Sequence, residues 1–247
     1  MDLGLEGRVA IVTGGSRGIG REVVRELLEA GARVMTCSRN RDQLETTCQE
    51  LARITGGTLK GSSADMTKPD DIQRLVDETL TNFGTIDILV NNAGTMYSGR
   101  FEALTDDGLQ AQLDTKLFGF LRTIRAAWPT MRDKNWGRIV NMIGGAGKEP
   151  DPYMFGSGMT NSALLNLTKS LSTEFAPHNV LVNAVCPGWV ATDLWKRNAG
   201  NLQQELGVAD EEEARRLAAK KNALGRFGRP EELANAIVFL CSERASY

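Results

Sequence analysis

The sequence predicts one doubly wound α/β domain that spans residues 1–247, with a parallel sheet flanked by helices on both faces. Short apolar runs rich in β-branched residues alternate with longer segments of helical periodicity, which is the order of βαβ units. No linker or repeat interrupts this alternation, and 41% of the residues are hydrophobic, enough for a sizeable core. We expect strands near 8–13, 33–37, 58–63, 87–91, 136–143 and 179–186, and helices near 18–30, 41–54, 69–83, 105–131, 155–176 and 230–242.

One segment, 193–224, departs from the alternation. It follows the sixth predicted strand, contains the polar helical sequence DEEEARRLAAKK, and precedes the last helix. An insertion at this place in the chain could cover a substrate, so we predict a substrate lid. A solvated pair of surface helices is the alternative.

Charge and composition narrow the classes of partner. Lysine and arginine number 29 against 31 acidic residues, a net charge of −2, so we expect no nucleic-acid and no membrane partner. The only histidine, His178, allows neither a Ser-His-Asp triad nor a multi-histidine metal site, and we expect no metal. A small-molecule substrate remains the expected partner.

Cysteine usage and the N-terminal sequence indicate the compartment. The four cysteines form no CxxC pair, and three of them lie in apolar runs, which is typical of reduced core thiols. The first residues contain no basic stretch and only a four-residue apolar run, Val9 to Val12, against the roughly 20 residues that span a bilayer. We therefore expect a cytoplasmic protein.

A glycine-rich turn, TGGSRGIG, follows the first predicted strand and opens the first predicted helix. Glycines at a strand-to-helix turn let the backbone approach a pyrophosphate, and the helix N-terminus supplies N–H donors. The spacing GxxxGxG is looser than GxGxxG and is a weak signal by itself. Its place after a strand favours a Rossmann-type dinucleotide site, in which we expect Gly14, Ser16, Arg17, Gly18, Ile19 and Gly20 to contact the cofactor.

The end of the second strand indicates which dinucleotide binds. The acid that would hold a free ribose 2′-hydroxyl is absent, and the chain reads Cys37, Ser38, Arg39, Asn40. The guanidinium of Arg39, with that of Arg17, could pair with a 2′-phosphate through charge-assisted hydrogen bonds. The sequence therefore predicts NADP(H), held here by Ser38, Arg39 and Asn40; two solvated arginines are the alternative.

Several spaced motifs together resemble the short-chain dehydrogenase/reductase family from Gly7 onwards. The glycine turn is similar to its TGxxxGxG, Asp65 beside Met66 to its adenine-contacting acid, and Asn91-Asn92-Ala93-Gly94 to its NNAG segment. The resemblance implies an oxidoreductase that binds its cofactor also through Asn92, Ala93 and Gly94. It further implies that the segment from Pro187 to Asp193 closes on the nicotinamide carboxamide, with Pro187, Gly188, Val190 and Thr192 as contacts.

The catalytic residues of that family are replaced. Its members use Asn, Ser, Tyr and Lys, the Lys cation lowering the pKa of the Tyr that exchanges a proton with the substrate. Aligning the helix NSALLNLTKSLSTEFA places Ser157 at the Tyr position and Asn161 at the Lys position. Gly144 falls at the Ser position and Lys116 at the Asn position. We treat these four residues as the candidate catalytic set.

Two alternative arrangements of the site stay open. Tyr153, one turn before Ser157, could act as the acid, although no lysine follows it four residues later. Alternatively, Lys116 and Asn161 hold the family's Asn and Lys exchanged, so that the ammonium and the carboxamide lie on opposite walls of the pocket. A surface-facing Lys116 is the simpler possibility.

The resemblance also suggests the substrate and the assembly. It puts an apolar pocket at Trp189, Trp195, Met96, Tyr97 and Phe155, so we expect a small apolar carbonyl, imine or activated alkene. A catalytically inactive cofactor-binding subunit and a non-redox isomerase or cyclase are the rival functions. The family pairs through its long fourth and fifth helices, here with Phe118, Phe120, Leu164 and Leu165, which predicts a homodimer or homotetramer. The family also adds a strand after the position of Phe239-Leu240. Because this sequence ends at Tyr247, we expect the sixth strand to lie at an edge of the sheet.

Overall fold

The computed structural model describes residues 2–247, and side chains are described for all of these except 196–198. Six parallel strands form one sheet in the order β3-β2-β1-β4-β5-β6, so β3 and β6 are its edges. The strand order reverses between β1 and β4, and ligands of such sheets bind at the carboxyl ends of the strands beside that point. The strands are β1 (Val9–Thr13), β2 (Arg33–Ser38), β3 (Leu59–Ser63), β4 (Ile88–Asn91), β5 (Gly137–Met142) and β6 (Val180–Val185).

Helices cover both faces of the sheet, which confirms the predicted doubly wound fold. Alternate residues of β1 point to opposite faces, because side chains of a strand alternate with a period of two. Ala10 and Val12 pack in the core beneath α1, α2 and α9, whereas Val9 and Ile11 pack beneath α3 and α5. The helices are α1 (Gly18–Glu29), α2 (Arg41–Thr55), α3 (Pro69–Phe83), α4 (Asp106–Gln112), α5 (Gly119–Lys134), α6 (Phe155–Phe175), α7 (Asp193–Leu206), α8 (Glu211–Ala219) and α9 (Pro230–Cys241).

The helix that the sequence predicts over 105–131 is divided in the structure. A π-helical turn at Leu113–Phe118 separates α4 from α5, and α5 continues past Pro129 to Lys134, where Asn135 ends it in the left-handed conformation at φ 54°. A π-turn places an extra residue in the helix and is frequent at functional sites. Lys116, which lies in this turn, is thereby directed into the protein.

The segment 193–224 folds as two helices with a small core of their own. Helix α7 ends at Gly207 in the left-handed conformation, and Asp210 caps α8 by accepting the backbone N–H of Glu213. Trp195, Leu202 and Phe227 are buried between them, so this helix pair is more than a solvated surface element. Among the helices of the described residues, none combines the length and the apolar character that crossing a membrane requires.

Candidate functional site

The turn between β1 and α1 requires glycine at three positions. Gly14 and Gly18 have φ of +72° and +56°, a region that side chains with a Cβ rarely adopt. A Cβ on Gly20 would lie 2.3 Å from the carbonyl oxygen of Gly14 and 2.4 Å from Asn92 Nδ2. Helix α1 starts at Gly18 without a side-chain cap, so its first N–H groups face the turn. This backbone fits a pyrophosphate, which needs N–H donors and close approach.

The residues after β4 hold this turn in place. Asn92 Nδ2 donates to the carbonyl oxygens of Thr13 at 3.0 Å and Gly14 at 3.1 Å. In return, Thr13 Oγ1 accepts the N–H groups of Asn92 and Ala93, both at 3.0 Å. These four hydrogen bonds join the neighbouring strands β1 and β4 at the switch point, which fixes the floor of the groove above them.

A groove of about 380 Å³ runs along the carboxyl edge of the sheet. Most of the residues predicted to contact a cofactor line it, whereas Pro187, Gly188 and Val190 do not. The carbonyl of Pro187 accepts the N–H of Gly145 at 3.0 Å, and Val190 pairs with Gly228, so this segment is held by contacts to the loops after β5 and before α9. The predicted residues that line the groove are Gly14, Ser16, Arg17, Gly18, Ile19, Gly20, Ser38, Arg39, Asn40, Asp65, Met66, Asn92, Ala93, Gly94 and Thr192; the structure adds Cys37, Gln43, Ala64, Thr95, Thr115, Asp193 and Leu194.

One end of the groove carries exposed arginines and no carboxylate at the end of β2. Asn40 caps α2 by accepting the N–H of Gln43 at 3.0 Å, and Ser38 Oγ donates to the carbonyl of Asn40 at 3.0 Å. These bonds fix the loop that presents Arg39, which is exposed, opposite the exposed Arg17. Asp65 uses one carboxylate oxygen to accept the N–H and the hydroxyl of Thr67 and so shapes the neighbouring loop.

Lys116 is buried next to Gly94, which lines the groove, but it does not line the groove itself. The other predicted catalytic residues, Asn161, Ser157, Gly144 and Tyr153, are not among the lining residues either. The ammonium of Lys116 donates to the carbonyl oxygen of Ile143 and, at 2.8 Å, to Asn161 Oδ1, and the residue is 8% exposed. Burial lowers the pKa of Lys116 to about 8, with Cys186 acting in the opposite direction. Its aliphatic stem lies beside Gly94, where an added Cβ would be 3.5 Å from Lys116 Cδ. A lysine with its pKa lowered in this way stays mainly protonated at neutral pH but gives up its proton more readily than an exposed lysine, which suits proton transfer.

The structure brings Lys116 and Asn161 together instead of placing them on opposite walls. The π-turn directs Lys116 towards the end of β5, where helix α6 delivers Asn161 within hydrogen-bond distance. Gly144 lies beside them at φ +118°, and a Cβ there would be 3.0 Å from Asn161 Nδ2. A side chain at the family's Ser position would therefore be strained, and it would crowd the carboxamide.

Ser157 is engaged with the backbone of a different loop. Its hydroxyl accepts the N–H of Tyr97 at 2.9 Å and donates to the carbonyl of Tyr97 at 3.1 Å, and the residue is 3% exposed. Gln112 Nε2 lies 3.5 Å from the same hydroxyl. The sequence gives one signal for Gln112, which we did not predict: it precedes Lys116 by four residues and so shares its helix face.

Tyr153 lies apart from this cluster in the contacts of the described residues. Its ring lies under the guanidinium of Arg100 at 4.3 Å, and its carbonyl accepts the N–H of Gly99 at 2.7 Å. Neither contact joins it to Lys116 or Asn161. The arrangement favours Tyr153 as part of the loop at the mouth of the site.

The aromatic residues expected around a substrate divide into two groups. Trp189 and Trp195 pack with Phe227 at ring separations of 4.9–6.1 Å, in the small core beside the helix pair 193–224. Phe155 instead meets Phe101 edge-on at 5.8 Å, and both rings are exposed. Both tryptophans thus pack with Phe227, and whether they also line a substrate pocket stays a prediction.

Polar contacts tie the segment 193–224 to the loops of the site. Lys221 Nζ lies 2.6 Å from Glu205 on α7 and 3.7 Å from Asp151 in the loop before α6. Asn201 Nδ2 donates to Ser98 Oγ at 3.0 Å. These contacts hold the helix pair against the loops before α4 and α6, and the sequence offered no signal for them.

Comparison with known proteins gives consistent matches along the chain. The short chain dehydrogenase profile matches residues 8–203. The 3-oxoacyl-(acyl-carrier-protein) reductase of Aquifex aeolicus is 34% identical over 247 residues, which are 100% of this chain and 95% of that protein. L-sorbose reductase from Gluconobacter frateurii, solved with NADPH and L-sorbose, superposes with a TM-score of 0.93 at 32% identity, covering 100% of this chain and 94% of that one. A variant of actinorhodin polyketide ketoreductase, solved with NADPH, gives a TM-score of 0.92 at 32% identity, covering 97% and 92%.

Proposed function

Because the chain belongs to the short-chain dehydrogenase family, we propose that it is an NADP(H)-binding oxidoreductase with a non-standard active site. Its substrate is a small apolar carbonyl, imine or activated alkene. One observation carries the proposal: a single groove leads from a glycine turn and two exposed arginines to the loop beside a buried lysine. The relatives that were solved with NADPH support the choice of cofactor.

The cofactor supplies a hydride when it is bound, and the chain supplies the cradle. Gly14, Gly18 and Gly20 admit the pyrophosphate to the N-terminus of α1. Arg39 and Arg17 pair with the 2′-phosphate, since guanidinium groups bind phosphate oxygens in a bidentate fashion. Asn92 and Thr13 keep the floor of this cradle rigid.

Lys116 supplies the charge that the family takes from its lysine. Two of its N–H groups are used by Ile143 and Asn161, which leaves one for a substrate oxygen or nitrogen. An ammonium that is desolvated in this way stabilises a developing negative charge more strongly than one in water. With a pKa of about 8 it can also give up its proton, so it combines electrostatic stabilisation with acid catalysis.

Asn161 orients that ammonium. Its Oδ1 accepts from Lys116 at 2.8 Å while its Nδ2 points towards Gly144.

An iminium substrate already carries the positive charge that activates it and needs no proton as the hydride arrives. The missing tyrosine should therefore slow the reduction of an iminium ion less than that of the other substrate classes. Simple ketones should react more slowly.

The helix pair 193–224 acts as the substrate lid in this proposal. Its first turn, at Thr192, Asp193 and Leu194, lines the groove, and Lys221 and Asn201 attach it to the loops of the site. Closing such a segment excludes water from the reacting groups.

Assembly and compartment complete the proposal. We infer a cytoplasmic homodimer or homotetramer, by analogy with the family. The four unpaired cysteines fit a reducing compartment. Two of the apolar residues that suggested pairing, Phe120 and Leu164, are buried within the subunit beside Ile143 and do not support it, whereas Phe118 is 37% exposed. Sedimentation of a monomer at micromolar concentration would contradict the assembly.

Cofactor preference is tested by calorimetry with NADPH and NADH. We expect the wild-type protein to bind NADPH at least tenfold more tightly, and Arg39→Asp to remove or reverse that preference. Arg53→Asp makes the same change of charge at an exposed site in the last turn of α2, away from the groove, and should leave it intact. Equal affinities that do not respond to Arg39→Asp would sink the NADP(H) assignment.

The reaction is tested by following NADPH absorbance with a panel of ketones, cyclic iminium ions and activated alkenes. Turnover with an iminium ion at a higher kcat/KM than with the matched ketone supports the proposal. Tight NADPH binding without oxidation across the panel would favour an inactive subunit. Product formation without NADPH consumption would favour an isomerase or cyclase.

A further inference from the structure

We propose that Ser157 and Gln112 are positioning residues, which hold residues 95–97 fixed and so fix the part of the cofactor groove's wall that Thr95 forms. Ser157 occupies the position at which the family carries its tyrosine, yet its hydroxyl is committed twice to the backbone of Tyr97. The inference rests on the proposed function, because the wall matters only if the groove binds a cofactor.

Gln112 fastens the same wall two residues earlier. The residue is 1% exposed; its Oε1 accepts the hydroxyl of Thr95 at 2.6 Å, and its Nε2 donates to the carbonyl of Thr95 at 3.3 Å. Gly94 and Thr95 line the groove. A buried amide with all these bonds made is rigid, because breaking any of them leaves a buried polar group without a partner.

The ring of Tyr97 adds a third set of contacts that fix residues 95–97. A Cβ on Gly156 would lie 2.3 Å from Tyr97 Cδ1, and one on Gly108 would lie 2.5 Å from its hydroxyl, so the ring is wedged between α4 and α6. The hydroxyl accepts the N–H of Thr105, the N-cap of α4, at 2.8 Å. Residues 95–97 are thus fixed by side chains of two helices and by their own ring.

This network explains why the tyrosine position tolerates serine. A short hydroxyl reaches the Tyr97 backbone, whereas a tyrosine ring at the same buried position would displace the wall. Restoring the family's residue with Ser157→Tyr is therefore expected to lower NADPH affinity and not to create a conventional site.

The test compares Ser157→Ala with Ser170→Ala, an exposed serine on the same helix. For Ser157→Ala we expect the Kd for NADPH to rise about threefold to tenfold, from the loss of the two Tyr97 bonds. We also expect amide exchange at Tyr97 to become at least tenfold faster, with the pH dependence of kcat unchanged. Ser157→Thr, which keeps the hydroxyl, should restore much of the affinity, and Ser170→Ala should change none of these quantities.

Thr95→Val gives a second test at an exposed residue, in case Ser157→Ala does not fold. It removes the bond to Gln112 and should raise the NADPH Kd about threefold. Loss of kcat by a hundredfold in Ser157→Ala, with unchanged Kd and unchanged exchange at Tyr97, would make Ser157 a reacting group and overturn the inference. Unchanged Kd and unchanged exchange in both variants would overturn it too. If the wild-type protein fails to bind NADPH, the proposed function fails. Amide exchange at Tyr97 still tests whether Ser157 and Gln112 hold residues 95–97 in place.

Discussion

The loop after β1 and the loop after β5 lie at the same edge of the sheet, but they are constrained in different ways. In the first, backbone atoms set the limits: Gly14 and Gly18 have positive φ, and Gly20 approaches a carbonyl oxygen. In the second, side chains set them, because the ammonium of Lys116 bridges Ile143 and Asn161. A backbone cradle admits few substitutions, whereas a pair of side chains can be replaced together. This difference would let the cofactor motif stay intact while the four positions that we align with the family's catalytic residues change.

The side chains at the proposed catalytic positions also have hydrogen-bond partners within the protein. Lys116 donates to Asn161 Oδ1 and to the carbonyl oxygen of Ile143, and the hydroxyl of Ser157 makes two bonds with the backbone of Tyr97. Buried polar groups without partners would cost about 1–3 kcal/mol each, so a site that had merely decayed should contain some. Among the described residues, the buried side-chain atom left without a hydrogen bond is Arg138 Nε, which lies on β5, outside this cluster.

The largest effect is expected from removing the ammonium group of Lys116, which contacts the loop after β5. Lys116→Met should lower kcat by about 10²–10⁴-fold, the usual contribution of a positioned proton donor, and should leave Asn161 Oδ1 without its donor. Steady-state NADPH oxidation with the best ketone substrate, whose oxygen must be protonated as the hydride arrives, measures the effect. Lys148→Met, at an exposed lysine of the neighbouring loop, is the matched control and should stay within twofold. A kcat within tenfold of wild type in Lys116→Met would remove Lys116 from the reaction.

The backbone cradle is tested by adding one methyl group. Gly20→Ala forces a Cβ to 2.3 Å from the carbonyl of Gly14, and an overpacked site of this kind costs about 1–3 kcal/mol. We therefore expect the Kd for NADPH to rise about tenfold to a hundredfold in calorimetry. Gly200→Ala, on helix α7 with open space around it, should leave the affinity unchanged. Normal NADPH affinity in Gly20→Ala would show that the turn is less rigid than its geometry indicates.

The dependence of stability on pH tests whether burial lowers the pKa of Lys116. Folding lowers the pKa of Lys116 from 10.5 to about 8, so between these values the unfolded chain binds more protons than the folded one. Stability then rises with pH through this range, by up to about 1.4 kcal/mol per pH unit. Burial raises the pKa values of Cys37 and Cys241, which opposes this above pH 9.

Comparing the wild-type protein with Lys116→Met removes the contribution of the cysteines to the pH dependence, because both proteins contain the same cysteines. Urea unfolding at pH 7.5, 8.5 and 9.5 should show the wild-type protein gaining stability relative to the variant as pH rises. A difference that stays flat across the three values would place the folded-state pKa of Lys116 at its ordinary value.

The smallest expected effect concerns the helix pair 193–224, which we propose as a lid. Lys221→Ala breaks the contacts to Glu205 and Asp151, and partly exposed ion pairs contribute about 0.2–1 kcal/mol. We expect KM to rise twofold to fivefold with kcat little changed, and the difference to shrink at 1 M salt because exposed charges are screened. Lys220→Ala removes an exposed neighbouring charge and serves as the control. Identical KM values for the two variants would show that Lys221 does not hold the lid.

The sequence by itself determined the order of strands and helices, the glycine turn and the absence of an acid after β2. These features are local: periodicity of two or 3.6 residues and a glycine conformation are written in neighbouring residues. They were enough to place most of the predicted cofactor residues in one groove.

Only the tertiary structure decided which of the proposed catalytic residues meet. Lys116 and Asn161 are 45 residues apart in the chain, and Ser157 and Tyr97 are 60 apart. Whether such side chains touch depends on the π-turn and on the packing of α4, α5 and α6, which no short stretch of sequence encodes. The same holds for Trp189 and Trp195, whose packing with Phe227 joins residues that are distant in the sequence.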